Sequence, residues 1–246
     1  MKTRINIESK INIIDVGCAH SLDKEWRWRK KKRLEKVNFF IGFDPFGKFQ
    51  TPYINKQFPK NIIYDYAVFD KEGEYPFYVC NKAQCSSLFP PDPKLVKEYV
   101  KIGKERYNKE RHTEFFHRMD IKKIIKVKCV RLDSIVSQLK INFDFIKVDT
   151  QGADFQVLKS LGKYLTTQII GIRLELYFQP LYKNIILYKV VDEFLRKKNF
   201  KYVKKFGGTK FGREFLYIRQ DKNKQEQIKI IKNIYKKWKK NKLKVK

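Results

Sequence analysis

The feature that most constrains the fold is an alternation of short β-branched or aromatic runs with longer stretches of helical periodicity, which begins at residue 10. Parallel strands need a crossover connection between them, so this alternation is typical of βαβ units around a mainly parallel sheet. The strands predicted from it cover residues 11–16, 39–44, 62–68, 145–149 and 169–176. The sequence therefore predicts an α/β protein with helices on both faces of a mainly parallel central sheet.

Further elements are predicted outside these units. Residues 74–79 resemble another strand, and residues 187–198 have helical periodicity. Residues 201–206 and 214–219 are predicted to pair as a C-terminal antiparallel hairpin across Gly207 and Gly208. This hairpin would complete the sheet.

The segment 90–126 interrupts the pattern. Pro90, Pro91 and Pro93 break regular structure before a charged helical stretch that runs to about Tyr107. We interpret the segment as an insertion, which is either a substrate lid or a lysine-rich surface loop.

The length of 246 residues favours one domain, which we assign to residues 1–220, followed by a basic tail at 221–246. Apolar residues recur in the tail at helical spacing: Ile228, Ile231, Ile234, Tyr235 and Trp238. A basic amphipathic helix of this kind either packs against its own domain or makes a peripheral contact with an anionic membrane.

The formal net charge of +30 indicates a strongly basic protein. Such a charge suits phosphate-rich partners, and nucleic acid is one possible partner. However, the basic residues are 44 Lys and 12 Arg, while specific base recognition relies mainly on arginine. Compositional bias explains the charge equally well, since Ile, Asn, Phe and Tyr are also abundant. Nucleic-acid binding is therefore not favoured.

Membrane and secretion signals are not recognised. No apolar stretch approaches the roughly 18 to 20 residues of a membrane span, and the first ten residues lack the apolar core of a signal peptide. We therefore expect a cytoplasmic protein. Cys18, Cys80, Cys85 and Cys129 lack the spacing of a zinc site, so we expect reduced thiols and no metal.

The end of the first predicted strand carries the first candidate site. Gly17 follows this strand and lets the backbone approach a nucleotide-like ligand, while the helix start beyond it offers N–H groups to an anion. Ala19 and Ser21 replace further glycines of a dinucleotide motif, which disfavours NAD. Asp44 ends the second strand, where a carboxylate can accept hydrogen bonds from ribose hydroxyls or form a turn before Pro45.

The segment DFIKVDTQGAD contains the second candidate site. It delivers Asp149 to the carboxyl edge of the sheet, where ligands bind in open α/β proteins. Asp149 is therefore a candidate to orient a substrate hydroxyl or to accept its proton. Gly152 permits a tight entry into the next helix, and Asp154 suits the electropositive first turn of that helix.

Together these segments resemble the FkbM family of class I S-adenosylmethionine-dependent methyltransferases. The matching segments span residues 12–219 and occur in the family's order: IIDVGCAHS, IGFDP, DYAVFDKEGEYPFYV with CSSL, VRLDSI, DFIKVDTQGADFQVLKSL, RLELYFQPLYKN with VVDEFLRKKNFKY, and EFLYIR. Two departures stand out. The glycine-rich turn has Ala19 and Ser21, and Gln151 occupies a position that is often acidic.

The resemblance implies a Rossmann-like methyltransferase fold and S-adenosylmethionine as cofactor. Asp15, Gly17 and Ala19 would line the methionine and carboxylate end of the cofactor. Asp44 would hold the ribose. Tyr66 and Ala67 would border the adenine.

The resemblance also implies a methyl acceptor, which we expect to be a sugar, a glycan or another small hydroxylated molecule that is methylated on oxygen. Asp149 is the preferred base, with Glu175 and His20 as alternatives. Glu175 either pairs with a buried basic group or belongs to the site, and His20 is otherwise a helix cap. Ser86 and Ser87 resemble the family's serine pair or form a plain turn. The competing hypothesis is a nucleic-acid-binding protein or an RNA methyltransferase that uses the basic surface.

Overall fold

The computed structural model describes residues 9–18, 34–46, 58, 60–106 and 117–235. We number its strands and helices along the chain. The strands are β1 (Ile11–Val16), β2 (Val37–Phe43), β3 (Asn61–Tyr64), β4 (Ala67–Val68), β5 (Gly73–Cys80), β6 (Ile121–Val130), β7 (Phe145–Val148), β8 (Gly171–Tyr177), β9 (Phe200–Gly208) and β10 (Gly212–Arg219). The α-helices are α1 (Pro93–Arg106), α2 (Leu132–Leu139), α3 (Asp154–Ser160), α4 (Tyr164–Thr167), α5 (Tyr188–Lys197) and α6 (Gln225–Ile234).

Seven strands form the main sheet in the order β3-β2-β1-β7-β8-β10-β9. All pairs from β3 to β8 are parallel, and β10 is antiparallel to both β8 and β9. Strands β2 and β3 follow β1 on one side of the sheet, and β7 lies on the other side of β1. The gap between β1 and β7 is therefore a topological switch point, where ligands bind in open α/β sheets. The predicted α/β architecture is confirmed.

Both faces of the main sheet are covered by helices. On one face Ile14, Ile146 and Ile172 belong to a buried cluster with apolar side chains of α2, α3 and α5. On the other face Ile13 and Phe145 join a second cluster with side chains of α6. Strands β1 and β7 contribute side chains to both clusters and are therefore buried on both faces. This burial explains why their sequences are nearly continuous apolar runs.

A separate sheet has the order β4-β6-β5. The prediction of one strand over residues 62–68 is wrong, because the chain leaves the main sheet after Tyr64 and β4 pairs with β6 instead. The chain stays extended as it passes from the main sheet to the second sheet. An apolar sequence pattern does not show that its two halves pair with different sheets. Strand β6 has no counterpart among the predicted strands, and its first six residues fall within the predicted insertion 90–126. Exposed lysines interrupt its apolar pattern.

The terminal hairpin forms as predicted, but its turn lies elsewhere. Gly207 and Gly208 belong to β9, and residues 209–211 make the turn. Thr209 N–H donates to Gly212 O across 2.9 Å and closes it. A Cβ at Gly208 would lie 2.5 Å from Gly212 O, so this glycine allows close strand approach rather than the turn itself.

Helix α6 shows how the described part of the basic tail is placed. Ile228, Ile231 and Ile234 are buried against the sheet, while Lys229 and Lys232 are exposed. The apolar face of this helix therefore contacts the protein's own core. Trp238 lies outside the described residues. No described helix is both long enough and apolar enough to cross a membrane.

Candidate active site

The carboxyl ends of β1, β2 and β7 are joined directly at the switch point. Gly17 N–H donates to Phe43 O across 2.8 Å, and Asp149 N–H donates to Val16 O across 2.9 Å. Gly17 has φ +82°, and a Cβ there would lie 2.0 Å from the carbonyl oxygen of Asp149. Only glycine therefore fits this position without a backbone shift.

A pocket of about 400 Å³ opens beside this junction, and we call it the first pocket. It is lined by residues from β1, β2, β4, β5 and the adjoining loops: Val16, Gly17, Phe43, Asp44, Pro45, Tyr66, Ala67, Val68, Phe77, Ser86, Leu88, Asp149, Thr150 and Ala153. Five sequence-predicted site residues therefore meet in one cavity: Gly17, Asp44, Tyr66, Ala67 and Asp149.

Asp44 occupies the end of β2 as the sequence predicts. Its N–H donates to Tyr64 O across 3.1 Å, and its Oδ1 accepts a hydrogen bond from Phe46 N–H across 2.8 Å. The carboxylate thus forms a turn and also lines the first pocket. The two interpretations drawn from the sequence are compatible.

Tyr66 and Ala67 supply part of an apolar wall. The Tyr66 ring stacks on Tyr64 at 5.8 Å between centroids, and Lys128 Nζ lies 4.5 Å from the centroid of the Tyr66 ring. Phe77 and Leu88 continue the wall. A flat apolar surface beside a carboxylate suits a purine ring attached to a ribose.

Asp15 does not line the first pocket. Its side chain is fully buried, and its Oδ1 lies 3.4 Å from Lys147 Nζ. Lys147 Nζ also lies 3.5 Å from Asp149 Oδ2. Burial by itself would lower the pKa of Lys147, but the carboxylates of Asp15 and Asp149 outweigh burial and raise that pKa. Lys147 therefore links Asp15 to the site, because it pairs with both Asp15 and Asp149.

Two predicted residues, Ala19 and His20, lie outside the described residues, so the structure does not place them.

A second pocket of about 430 Å³ lies on the other side of the β7 to α3 loop. Its walls come from α1, β8, the residues before β6, the loop after β8 and the β9 to β10 turn: Cys85, Tyr99, Arg118, Met119, Gln151, Glu175, Tyr177, Leu181, Tyr182, Gly208, Thr209, Phe211 and Gly212. Predicted residue Glu175 therefore lies in a different pocket from Asp44.

A hydrogen-bond network separates the two pockets. Gln151 Nε2 donates to Asp149 Oδ1 across 2.9 Å and to Glu175 Oε2 across 3.2 Å. Tyr182 OH lies 3.0 Å from Gln151 Oε1 and donates to it, and Tyr177 OH donates to Glu175 Oε2 across 3.0 Å. Asp149 lines the first pocket and Glu175 the second, so Gln151 bridges a carboxyl group from each.

Burial weakens the acidity of two carboxyl groups beside the pockets, those of Glu175 and Asp154. It raises the pKa of Glu175 to about 8, with further contributions from Asp149, Asp154 and Glu214. Burial likewise raises the pKa of Asp154 to about 7, with the charge of Asp149 adding to it. Glu175 is therefore largely protonated at pH 7, which makes it a hydrogen-bond donor. The buried basic group on the same strand, Arg173, pairs with Glu214 instead.

The serine pair supports the loops around the site. Ser86 Oγ accepts a hydrogen bond from Cys80 N–H across 3.0 Å, and this residue also lines the first pocket. Ser87 Oγ donates to Gln151 O across 2.9 Å and accepts from Phe89 N–H. Ser87 therefore fixes the backbone of the residue that bridges the two pockets.

Sequence reasoning missed several residues of the network. Lys147 carried a usable signal, because a lone lysine in a buried strand needs a carboxylate partner. Tyr177 and Tyr182 carried none, because their hydroxyl groups reach Gln151 and Glu175 only through the tertiary fold.

Comparison with known proteins gives a family match. A sequence profile described as the methyltransferase FkbM domain matches residues 15–202, which is most of the chain. No curated protein matches the sequence. Among solved structures, magnesium protoporphyrin IX methyltransferase (ChlM) from Synechocystis PCC 6803 with bound SAM is similar, at 10% identity and a TM-score of 0.36. The alignment covers 87% of this chain and 72% of that chain.

The family match agrees with the first pocket, in which Gly17 allows a close backbone approach, Asp44 offers a carboxylate and Tyr66 provides a ring surface. These features fit an adenosyl group. The chain therefore belongs to the FkbM family of S-adenosylmethionine-dependent methyltransferases.

Proposed function

We propose that this protein transfers a methyl group from S-adenosylmethionine to a hydroxyl oxygen of a small or glycan-like acceptor. The observation that carries the proposal is the pair of pockets on either side of Gln151, each with one carboxyl group at the boundary. Two adjoining pockets offer separate places for a cofactor and an acceptor, with a carboxyl group at the boundary that can take a proton.

The first pocket would hold the cofactor. Asp44 would accept hydrogen bonds from the ribose hydroxyls, and Tyr66 and Ala67 would border the adenine. Gly17 would let the methionine portion approach the backbone at the end of β1. When bound, the sulfonium group supplies a methyl carbon that is already electrophilic.

The protein's own residues then have three tasks: to align the acceptor oxygen, to exclude water and to receive a proton. Asp149 is the group placed to receive the proton, because it lines the first pocket at its boundary with the second and its Oδ2 lies 3.5 Å from the ammonium of Lys147. Glu175, with its pKa raised to about 8 by burial, would donate a hydrogen bond to the acceptor at neutral pH.

Transfer of isotopically labelled methyl groups tests this function. Purified protein is incubated with labelled S-adenosylmethionine and, separately, with pooled sugars, glycans, hydroxylated small molecules and total RNA. We expect label on a hydroxylated small molecule or glycan, with an O–CH₃ carbon in the NMR spectrum of the product. Asp149→Asn should reduce transfer by roughly 10²- to 10⁴-fold, the usual contribution of a general base.

The control variant is Asp120→Asn, which alters an exposed carboxylate outside both pockets. It should transfer methyl groups as the wild type does. Label on nitrogen, or label only on RNA, would contradict the proposed acceptor class.

A further inference from the structure

We propose that the second pocket binds an acceptor that carries a phosphate or carboxylate group, which Arg118 holds while the reacting hydroxyl points toward Asp149 and Glu175. The inference rests on the proposed function and specifies its substrate: a small hydroxylated anion, such as a sugar acid or a sugar phosphate.

Arg118 is built into the pocket wall. Its carbonyl oxygen accepts a hydrogen bond from Lys82 N–H across 2.9 Å, and its Nε–H donates to Cys85 Sγ across 3.3 Å. Burial raises the pKa of the Cys85 thiol above its usual range, so this thiol is neutral and its contact with Arg118 orients the guanidinium without neutralising it. Among the described residues that line this pocket, Arg118 alone carries a permanent positive charge.

The carboxyl groups beside the pocket do not oppose an anion at neutral pH. Glu175 is largely protonated, since burial raises its pKa to about 8. The Asp149 carboxyl group lines the first pocket, and Lys147 Nζ lies 3.5 Å from its Oδ2. With Glu175 largely protonated, the described lining of the second pocket carries a positive charge, that of Arg118.

The remaining walls suit a hydroxylated ring. Tyr99 and Phe211 meet edge to face at 5.3 Å between centroids, and Thr209 lies beside them. Aromatic surfaces with scattered hydroxyl groups can pack against a ring and hydrogen-bond its substituents. A planar guanidinium then matches the oxygens of a phosphate or carboxylate, which it can bind through two parallel hydrogen bonds.

The net charge of the whole chain supports the same preference. A formal charge of +30 attracts small anions over long distances and raises their rate of encounter with a cleft. A strongly basic protein therefore meets small anions more often than neutral molecules of the same size.

Calorimetry on the protein saturated with S-adenosylhomocysteine tests the proposal with three probes at constant ionic strength: glucose 6-phosphate, glucuronate and methyl glucoside. We expect at least one anionic probe to bind more tightly than the neutral glucoside. Arg118→Gln should weaken the binding of that anion by about 10- to 100-fold, which corresponds to losing a charge-assisted hydrogen bond. The preferred anion distinguishes a phosphate from a carboxylate group.

Two controls distinguish loss of the Arg118 contact from a general loss of charge and from misfolding. Lys122→Gln removes an equal charge from an exposed position outside the pocket, and should change the affinity little. Binding of S-adenosylhomocysteine by Arg118→Gln confirms that the variant is folded. The proposal is overturned if the neutral probe binds as tightly as the anions, if no anion binds the loaded protein, or if both variants behave alike. Failure of the wild type to bind S-adenosylhomocysteine would instead refute the function proposed above.

Discussion

Gly17 and Asp149 are in direct backbone contact: a Cβ on Gly17 would lie 2.0 Å from the carbonyl oxygen of Asp149. The contact joins the end of β1 to the end of β7 at the switch point of the sheet. In the proposed function, Gly17 lies beside the cofactor and Asp149 accepts the proton. The contact therefore places these two sites next to each other.

Gly17→Ala should disrupt this contact. Alanine is strained at φ +82°, and its Cβ would meet backbone rather than a movable side chain. We expect a loss of about 1 to 3 kcal/mol in the free energy of unfolding and at least a tenfold weaker binding of S-adenosylhomocysteine. Urea unfolding and calorimetry measure the two effects.

The matched control is Gly207→Ala in β9, where an added Cβ would have no atom within 4 Å. It should change the free energy of unfolding by no more than about 0.5 kcal/mol. Equal effects of the two alanine substitutions would contradict the structural role of Gly17.

Lys147→Met should destabilise the protein strongly. The variant keeps most of the side-chain volume but removes the ammonium that faces the buried carboxylate of Asp15. Removal of one member of a buried pair typically costs about 3 to 5 kcal/mol in the free energy of unfolding. Lys197→Met breaks an exposed pair with Glu193 and should cost far less, because solvent screens exposed charges. Denaturant unfolding of both variants checks the difference, and similar costs would refute the buried pairing.

Stability should fall with rising pH because of Glu175. Its pKa is raised from 4.5 to about 8 by burial and by Asp149, Asp154 and Glu214, so the folded state binds a proton that the unfolded state releases. The stability linked to this proton is fully present below about pH 4.5 and is lost as the pH rises through about 8. Tyr177 also faces Glu175, and it donates a hydrogen bond to Glu175 Oε2.

Glu175→Gln removes that titration, so its free energy of unfolding should fall less than that of the wild type between pH 6 and pH 8.5. Urea unfolding at the two pH values measures the change. Glu193→Gln, at an exposed position, should retain the pH dependence of the wild type. An identical pH dependence for Glu175→Gln and the wild type would show that Glu175 ionises normally.

The sequence predicted the parts of the fold that depend on local pattern. Strand β1 coincides with the predicted residues 11–16, and β7 and β8 differ from prediction by one or two residues at their ends. Gly17, Asp44 and Asp149 directly follow β1, β2 and β7, so parallel topology alone brings them to one edge. Such positions can be read from the sequence because strand ends meet at the switch point.

Other features depend on contacts between distant segments. The division of residues 62–68 between two sheets requires β6, whose lysines conceal its strand pattern. The partition of Asp149 and Glu175 between two pockets depends on Gln151 and on tyrosine hydroxyls from β8 and the loop beyond it. Asp15 was expected beside the cofactor, yet its side chain lies buried against Lys147. Strand periodicity fixes which residues are buried, but not which charged groups meet there.

The location of the cofactor is tested most directly by calorimetric titration of S-adenosylhomocysteine into the wild type, Asp44→Ala and the control Asp120→Ala. Asp44 lines the first pocket, while Asp120 is exposed and does not line it. The wild type and Asp120→Ala should bind with equal affinity, and Asp44→Ala should bind at least tenfold more weakly, because the ribose hydroxyls lose hydrogen bonds to a carboxylate. Equal affinities for all three proteins, or no binding by the wild type, would contradict the placement of the cofactor between Gly17 and Asp44.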